Sequence, residues 1–277
     1  MTDCILLPCW ASEPSFLHPG RRLPTGEDMV EAQSGWLSKA LRGGRIISSG
    51  IPRPLPEGLS DPFLLIHGPG LRAFDPGLLE AELARRGGDL LVVSHPSSSQ
   101  GDRLSTKPDG RVCGFGGMSD SNLCDAGVWL LRKSAAEAAT PSAWASPGVF
   151  LRAMLEAGAG IYSECLCSYC RTVSAPTDFL LLCGEILDGR ASPPCRAGSR
   201  IVIDPCATVA PDSHISGLAW IAAGAVVGTA CRIENCAVLE DASVGEGATV
   251  RNALVLPGAR IPPGADLSDK YLKTIGG

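Results

Sequence analysis

Residues 203–267 read IDPCATVAPDSHISGLAWIAAGAVVGTACRIENCAVLEDASVGEGATVRNALVLPGARIPPGADL. Stepping by six from Ile203 gives Val209, Ile215, Ile221, Val227 and Ile233. A five-residue step leads to Val238, then Val244 and Val250 follow at six, and a second five-residue step leads to Val255, Ile261 and Leu267. Four residues after almost every one stands a small side chain: Ala207, Ser213, Ala219, Ala225, Cys231, Ala237, Ala242, Ala248, Ala259 and Ala265. Leu254 is the one misfit. A period of six fits neither a 3.6-residue helix nor an amphipathic sheet of period two. It fits a triangular parallel β-coil with one hexad per face. The aliphatic residue then fills the interior, and the small residue sits where the backbone turns a tight corner.

This repeat resembles the left-handed parallel β-helix of the hexapeptide-repeat proteins. About three and a half turns are expected at three hexads per turn. The whole chain of 277 residues is long enough for one large or two ordinary domains. We expect an α/β domain over residues 1–190 and the β-helix with a short tail over 191–277. With 45% hydrophobic and 19% charged residues the chain can build a core, and its net charge of -5 argues against a nucleic-acid binder. Met1-Thr2-Asp3-Cys4 offers no basic region before the short apolar run, so no signal peptide is read. No apolar stretch approaches the ~20 residues that cross a bilayer. A soluble, cytoplasmic protein is expected.

Twelve cysteines without a secretory signal read as reduced thiols rather than a disulfide framework. Cys165, Cys167 and Cys170 form one cluster. Thiolates at this spacing could hold zinc with Cys183 or Cys195, and the alternative is small apolar packing in and beside a strand. Cys231 falls on a small-residue corner of the solenoid, a structural position.

The first 190 residues carry an α/β pattern. Residues 4–8 and 45–49 suggest short strands, and residues 27–41 a helix stopped by Gly43-Gly44. Phe63-Leu-Leu-Ile-His67 reads as a buried parallel strand closed by Gly68-Pro69-Gly70. Asp75 caps a helix with Pro76 at its first position, ended by Gly87-Gly88. Strands follow at 89–94, 111–115 and 126–131, a helix opens at Ser146-Pro147, strand-like stretches lie within 161–173, and a helix spans 176–187. Residues 189–200, with Pro193-Pro194, read as a linker.

Strand, turn, helix and strand ahead of a hexapeptide β-helix is the layout of the sugar-1-phosphate nucleotidyltransferases, or NDP-sugar pyrophosphorylases, which include the mannose-1-phosphate guanylyltransferases. The resemblance runs from about residue 26 to 267. The strand ending at His67-Gly68-Pro69 resembles the family's strand ending in Asn-Gly-Asp. Residues 109–115, DGRVCGF, resemble its DGRVxGF hairpin, and Asp125-Ala126-Gly127 its sugar-contacting NAG segment. Residues 174–180 resemble its GTPEDYL turn, and RNALVLPGARI at 251–261 is typical of its solenoids. The fold implied is a truncated Rossmann-like (GT-A-like) nucleotidyltransferase domain followed by a left-handed β-helix.

The departures concern the catalytic parts. The family's glycine-rich loop, which wraps nucleotide phosphates with backbone N–H groups, has no counterpart in the first sixty residues. Its two metal-binding Asp positions align with Pro69 and Thr172, its Glu-Lys-Pro segment with Gly116-Gly117-Met118, and the Asn of NAG with Asp125. Nucleotidyl transfer works by positioning and charge neutralisation, and Mg²⁺ wants carboxylate oxygens. The resemblance therefore implies a nucleotidyltransferase-like protein without normal pyrophosphorylase activity, binding a sugar nucleotide or acting as a regulatory or scaffolding subunit. Asp125, Ala126, Gly127 and His67 are the candidate substrate-binding residues; no catalytic residue and no metal ligand is assigned. One alternative is an active enzyme that uses Mg²⁺, with a compensating set drawn from Asp75, Asp120 and Asp125. Another is a hexapeptide acyltransferase using His214, the one histidine in the repeats. His18 and His95 sit beside proline-rich loops, and the serines at 97–99 lack an orienting acid for a catalytic pair. A homo-oligomer, or a hetero-oligomer with an active paralogue, is expected through the β-helix, with neither nucleic acid nor membrane as a partner.

Overall fold

A computed structural model describes residues 2–7, 22–48, 54–96, 103–116, 121–191, 197–269 and 271–272. His18, the serines at 97–99, Gly117, Met118, Asp120, the Pro193-Pro194 linker and Cys195 lie outside the described residues. By contacts the chain divides into two compact units: residues 1–21 with 28–174, and residues 22–27 with 175–277.

The first unit runs β1 (Cys4–Leu7), α1 (Met29–Ala40), β2 (Ile46–Ser48), β3 (Phe63–His67), β4 (Gly70–Phe74), α2 (Pro76–Arg86), β5 (Leu90–Pro96), β6 (Leu104–Thr106), β7 (Val112–Phe115), β8 (Leu123–Leu131), α3 (Lys133–Ala138), α4 (Pro147–Glu156), β9 (Ile161–Glu164) and β10 (Cys167–Thr172). Six strands form a Rossmann-like sheet in the order β2-β1-β3-β8-β5-β9. Its pairings are parallel except for the two made by β8, which runs antiparallel to β3 and β5. The apolar runs are continuous because both faces are covered. One face, with Ile5, Leu7, Phe63, Leu65, Val92, Trp129 and Leu131, packs with Phe150, Leu151 and Met154 of α4. The alternate residues, Leu6, Leu64, Ile66, Leu91, Val128 and Leu130, pack with Leu37 of α1 and Leu79 and Leu83 of α2.

The helix ends obey the capping chemistry that the sequence announces. Asp28 and Glu31 form a reciprocal capping box at α1. Asp75 accepts from Gly77 at α2, and Gly87 closes that helix with φ of 64°. The strand β4 and the helix α3 were not expected from sequence. Gly70-Leu-Arg-Ala-Phe74 is short, starts on glycine and carries an arginine, so it lacks an apolar strand's signature. It forms a strand because β10 pairs with it.

The second unit opens with α5 (Pro176–Leu187) and continues as the solenoid. Three parallel sheets of five, four and four short strands stack coil upon coil, a three-sided parallel β-helix. The contact division places α5 with the solenoid, whereas the sequence suggested a boundary at 190/191. The interior columns are the ones read from the repeat. Ile203, Ile221, Val238 and Val255 are register partners down one side, with Ile203 in the end coil 44% exposed. Val209, Val227, Val244 and Ile261 follow on the second, and Ile215, Ile233, Val250 and Leu267 on the third. Cys231 is buried among them, its thiol donating to Gly245 O at 3.1 Å.

The five-residue steps explain the misfit. At the shortened corner the small interior positions fall to Cys236 and Ala253, both in the buried core. Ala237, expected on that inner register, instead pairs with Trp220 and Leu254 on the alternate residues of the same sheet. These three are nevertheless buried, at 1%, 5% and 1% exposure for Ala237, Trp220 and Leu254. The cover is α5, which packs on the Ala219–Ile221 and Leu254–Val255 strands and sets Phe179 6.5 Å from the Trp220 ring. So Leu254 is large because it faces a helix and not a corner. The same corner adopts a left-handed backbone in every coil: Gly217, Asn235, Asn252 and Asp269 have φ of 71°, 51°, 46° and 56°. Asn235 donates to Asn252 at 3.3 Å and Asn252 to Asp269 at 3.0 Å, a side-chain ladder that offsets the backbone strain.

Two predictions follow from this packing. Leu254→Ala empties the space under α5 and lowers stability by ~3 kcal/mol, read as a reduced melting temperature, whereas Val226→Ala, at a 44% exposed site, changes it little. The second concerns Asp3, which joins β1 to the start of β2. Its carboxylate accepts from Arg45 Nη2 at 2.8 Å, from Arg45 N at 2.9 Å and from Ser60 N at 3.0 Å. The Arg45 guanidinium holds its pKa below the ordinary carboxylate value. A lowered folded pKa contributes stability that is present above the unfolded value and is lost as pH falls through the folded one. Asp3→Asn should therefore melt earlier at pH ~7 by on the order of 2 kcal/mol, with the gap to wild type closing below pH ~4.

Candidate functional site

The candidate substrate-binding residues meet where β3 ends and β8 passes it in the opposite direction. His67 is the last residue of β3, while Asp125, Ala126 and Gly127 lie in the first half of β8. The structure brings all four together. His67 Nε2 lies 3.3 Å from Asp125 Oδ2, and the His67 ring stands edge-on to Trp129 with centroids 4.6 Å apart.

The Asp125 carboxylate is committed to the fold. Oδ1 accepts from Gly127 N at 2.7 Å, and Oδ2 accepts from Trp129 Nε1 at 2.9 Å. These bonds hold β8 where its pairing with β5 shifts register between Val93 and Ser94. Gly127 has φ of 71°, and a Cβ there would sit 2.4 Å from His67 O and 2.8 Å from Arg72 Nη2. Only glycine fits that close approach. The side chains of His67 and Asp125 are 9% and 4% exposed, and Ala126 is fully buried.

Arg72, on β4, is the residue that sequence reading missed. It is 2% exposed. Its guanidinium donates to Ala126 O at 2.7 Å, Gly68 O at 2.9 Å and His67 O at 3.1 Å. Its backbone is clamped by Gln33 of α1: Arg72 N donates to Gln33 Oε1 at 2.8 Å, and Gln33 Nε2 donates to Arg72 O at 3.1 Å. A buried cation is tolerated only when its donors are saturated by oxygens. An arginine inside the otherwise apolar Gly70-Leu-Arg-Ala-Phe74 was the available signal, once that stretch is known to be a strand.

Pro69 and Thr172 also come together. β10 pairs antiparallel with β4, with Gly70 opposite Thr172, and Val173 N donates to Pro69 O at 3.1 Å. The two positions aligned with the metal aspartates are thus neighbours, and neither supplies a carboxylate. Beside them Leu6, Met29, Gln33, Pro69 and Arg72 line a cavity of about 10 Å³. Asp75 caps α2. The described donors do not fit a Mg²⁺ site: among the described residues no group of three or more His, Cys, Asp or Glu is arranged for a metal ion.

Of the other residues singled out in the sequence, His95 adjoins the cluster, since its neighbour Ser94 lies opposite Asp125. His95 on β5 bonds through Nδ1 to Pro96 O at 3.2 Å, and burial pushes its pKa below the ordinary imidazole value. Ser163 Oγ donates to Ser94 Oγ at 2.9 Å, and Ser94 Oγ lies 3.5 Å from Cys165 Sγ. Asp178 accepts from Ala175 N at 2.8 Å at the start of α5, a helix-starting role. His214 is exposed on the solenoid, opposite Arg232.

Residues 198–272 match the family model described as the GMPPB C-terminal domain. That match supports a sugar-nucleotidyltransferase-like protein, similar to the GDP-mannose pyrophosphorylases, and it covers the three-sided solenoid found in the structure. No curated protein matches the chain. Among the described residues no helix is long and apolar enough to cross a membrane.

The Arg72–Asp125–Gly127 network generates a stability prediction. Gly127→Ala should destabilise the protein by about 3 kcal/mol or more, from the clash with His67 O and the left-handed backbone. Arg72→Met should cost a similar amount, because it leaves the buried carbonyls of His67 and Ala126 short of a donor. Chemical denaturation checks both, and melts within about 0.5 kcal/mol of wild type would show that this network is not structural.

Proposed function

We propose that this chain is a nucleotidyltransferase-like subunit that has given up ordinary pyrophosphorylase chemistry and acts by regulation or scaffolding, with sugar-nucleotide binding as its retained ligand chemistry. The observation that carries the proposal is the meeting of Pro69 and Thr172 at the end of β4 and β10. Transfer of a nucleotidyl group brings two anions together, and a divalent cation held by carboxylates is the means of neutralising them. At this strand junction a pyrrolidine ring and a neutral hydroxyl stand in the aligned positions. Asp125, the carboxylate of the candidate site, is engaged by Gly127 N and Trp129 Nε1. The catalytic burden therefore has no set of described residues to bear it.

A scaffolding role draws support from the second unit. The match to the GMPPB C-terminal domain covers the solenoid, and α5 seals one of its three sheets. The other two sheets turn residues such as Val226, Arg232 and His214 to solvent. Stacked flat faces of this kind favour association with an identical or homologous solenoid, so we propose a homo-oligomer or a complex with a catalytically competent paralogue.

The test is a thermal-shift panel of GDP-mannose, UDP-GlcNAc, UDP-glucose and dTDP-glucose with and without Mg²⁺, run beside a turnover assay on GTP and mannose 1-phosphate. A ligand binding only the folded state at ~100 times its dissociation constant stabilises it by about 2.7 kcal/mol. The expected result is a selective shift that does not need Mg²⁺, with no pyrophosphate released. Mg²⁺-dependent turnover would overturn the proposal in favour of an active enzyme. Acetyl-CoA is run as a further ligand, and a shift with it alone would point instead to an acyltransferase.

A further inference from the structure

Away from the strand-end cluster, the first unit holds a cavity of about 760 Å³ between the C-terminal end of α1 and the start of α2. Trp36, Lys39 and Arg42 line it from α1 and the turn after it, and Phe74, Asp75 and Glu80 line it from the end of β4 and from α2. That turn leads into β2, on the edge where the parallel strands begin, whereas His67 stands where β3 ends. The cavity is therefore separate from the candidate substrate-binding residues. The Trp36 ring is braced edge-to-face against Phe74, with centroids 4.9 Å apart, and is half-buried, so part of the indole stays open. The charges around it are unpaired. The side chains of Lys39, Arg42 and Glu80 make no hydrogen bond or ion pair among the described residues. Asp75 commits Oδ1 to Gly77 N, and its second oxygen has no partner there. Arg42 is marked in a further way. Its φ is 46°, in the left-handed region, at the position just past the helix where glycine is usual. Among the described residues of the first unit it is the one non-glycine residue in that region. In the solenoid, Asn235 and Asn252 hold such a backbone with side-chain bonds between coils. Arg42 has no such bond, although Gly43 and Gly44 follow it in sequence. A strained residue that nothing local offsets points to a use for its side chain.

From this arrangement we infer that the cavity is a binding site for a nucleoside phosphate, distinct from the strand-end cluster. Each part of the lining fits one part of such a ligand. The open indole of Trp36 is a platform on which a base stacks. Lys39 and Arg42, two neighbouring cations without counter-ions, take the phosphate, the arginine as a planar fork and the lysine as a point charge. Asp75 and Glu80 have oxygens left to accept from the ribose hydroxyls, a pairing that carboxylates make well. An inorganic anion alone would be repelled by those carboxylates and would leave the indole unused. A planar ring, hydroxyl donors and an anion in one molecule satisfy all three. The charge layout also orients the ligand, since the cations lie on the α1 side and the carboxylates on the α2 side. The volume falls within the roughly 300–1,000 Å³ of small-molecule sites. A ligand held there ties the end of α1 to the start of α2, the two helices that cover one face of the sheet.

This inference is independent of the proposed function, because it needs neither a sugar nucleotide at the strand ends nor a partner chain. The test is calorimetric titration of the full-length protein with AMP and GMP, beside adenosine, ribose 5-phosphate and inorganic phosphate as partial ligands. The monophosphates should bind at least about tenfold more tightly than any partial ligand. Their binding should quench tryptophan emission and weaken as ionic strength rises. Lys39→Gln should lower the affinity by about tenfold. Arg42→Gly removes the guanidinium and gives the left-handed position the residue it favours. It should therefore bind about tenfold more weakly while melting no lower than wild type, which separates loss of the site from loss of folding. Trp36→Phe keeps a ring and should bind within about threefold of wild type, yet lose most of the quenching, which locates the base at residue 36. Three results would each overturn the assignment: no binding of AMP or GMP at about 1 mM, inorganic phosphate binding as tightly as either, or an affinity unchanged in Lys39→Gln or in Arg42→Gly.

Discussion

Arg72 carries a charged guanidinium into an interior that is otherwise aliphatic, and a cation there is tolerable only when its N–H directions find oxygens. Those oxygens are the main-chain carbonyls of His67, Gly68 and Ala126, from two strands and a turn. The rest of the strand-end cluster follows. Ala126 O can reach the guanidinium only if β8 passes close to β3, and that closeness demands glycine at 127. Gly127 in its left-handed conformation presents its N–H to Asp125, and Asp125 in turn orients Trp129. Gln33 locks the arginine's own backbone from α1. One buried charge thus ties a helix, three strands and a turn.

That economy has a functional cost. A carboxylate that accepts from a backbone amide and an indole has little left for a metal ion or a sugar hydroxyl. The cluster read from sequence as substrate-binding is, in three dimensions, also a structural network. The solenoid matches a domain of the GDP-mannose pyrophosphorylases, while in the first unit Asp125 and Gly127 serve the packing of the strand ends.

The solenoid depends on a different constraint, that every coil close on its neighbour in register. The Ser213-to-Cys231 bond spans 18 residues, and the Asn235-to-Asn252 and Asn252-to-Asp269 bonds each span 17. One residue is removed at a corner, the aliphatic columns stay aligned, and the left-handed corner is kept by glycine or by a residue whose side chain bonds to the coil above. Helix α5 completes the unit by covering the sheet that bears Trp220, Ala237 and Leu254.

The sequence by itself determined the columns of the β-helix, because a period of six leaves its aliphatic residues only one common direction. It also determined the strand–helix alternation of the first unit and the cap of α2, since these rest on local spacing and local hydrogen bonds. The gathering of His67 with Asp125, Ala126 and Gly127 was legible through resemblance. Tertiary structure decided the rest. β4 exists only because β10 pairs with it, Arg72 reads as a surface charge until its strand is buried, and Leu254 is a misfit until α5 lies over it. Cys167 and Cys170 fall on opposite faces of any regular strand, and a bulge set by a distant partner strand turns them to one side. Each depends on a segment far away in the chain, and periodicity along a sequence carries no record of which distant segment will arrive.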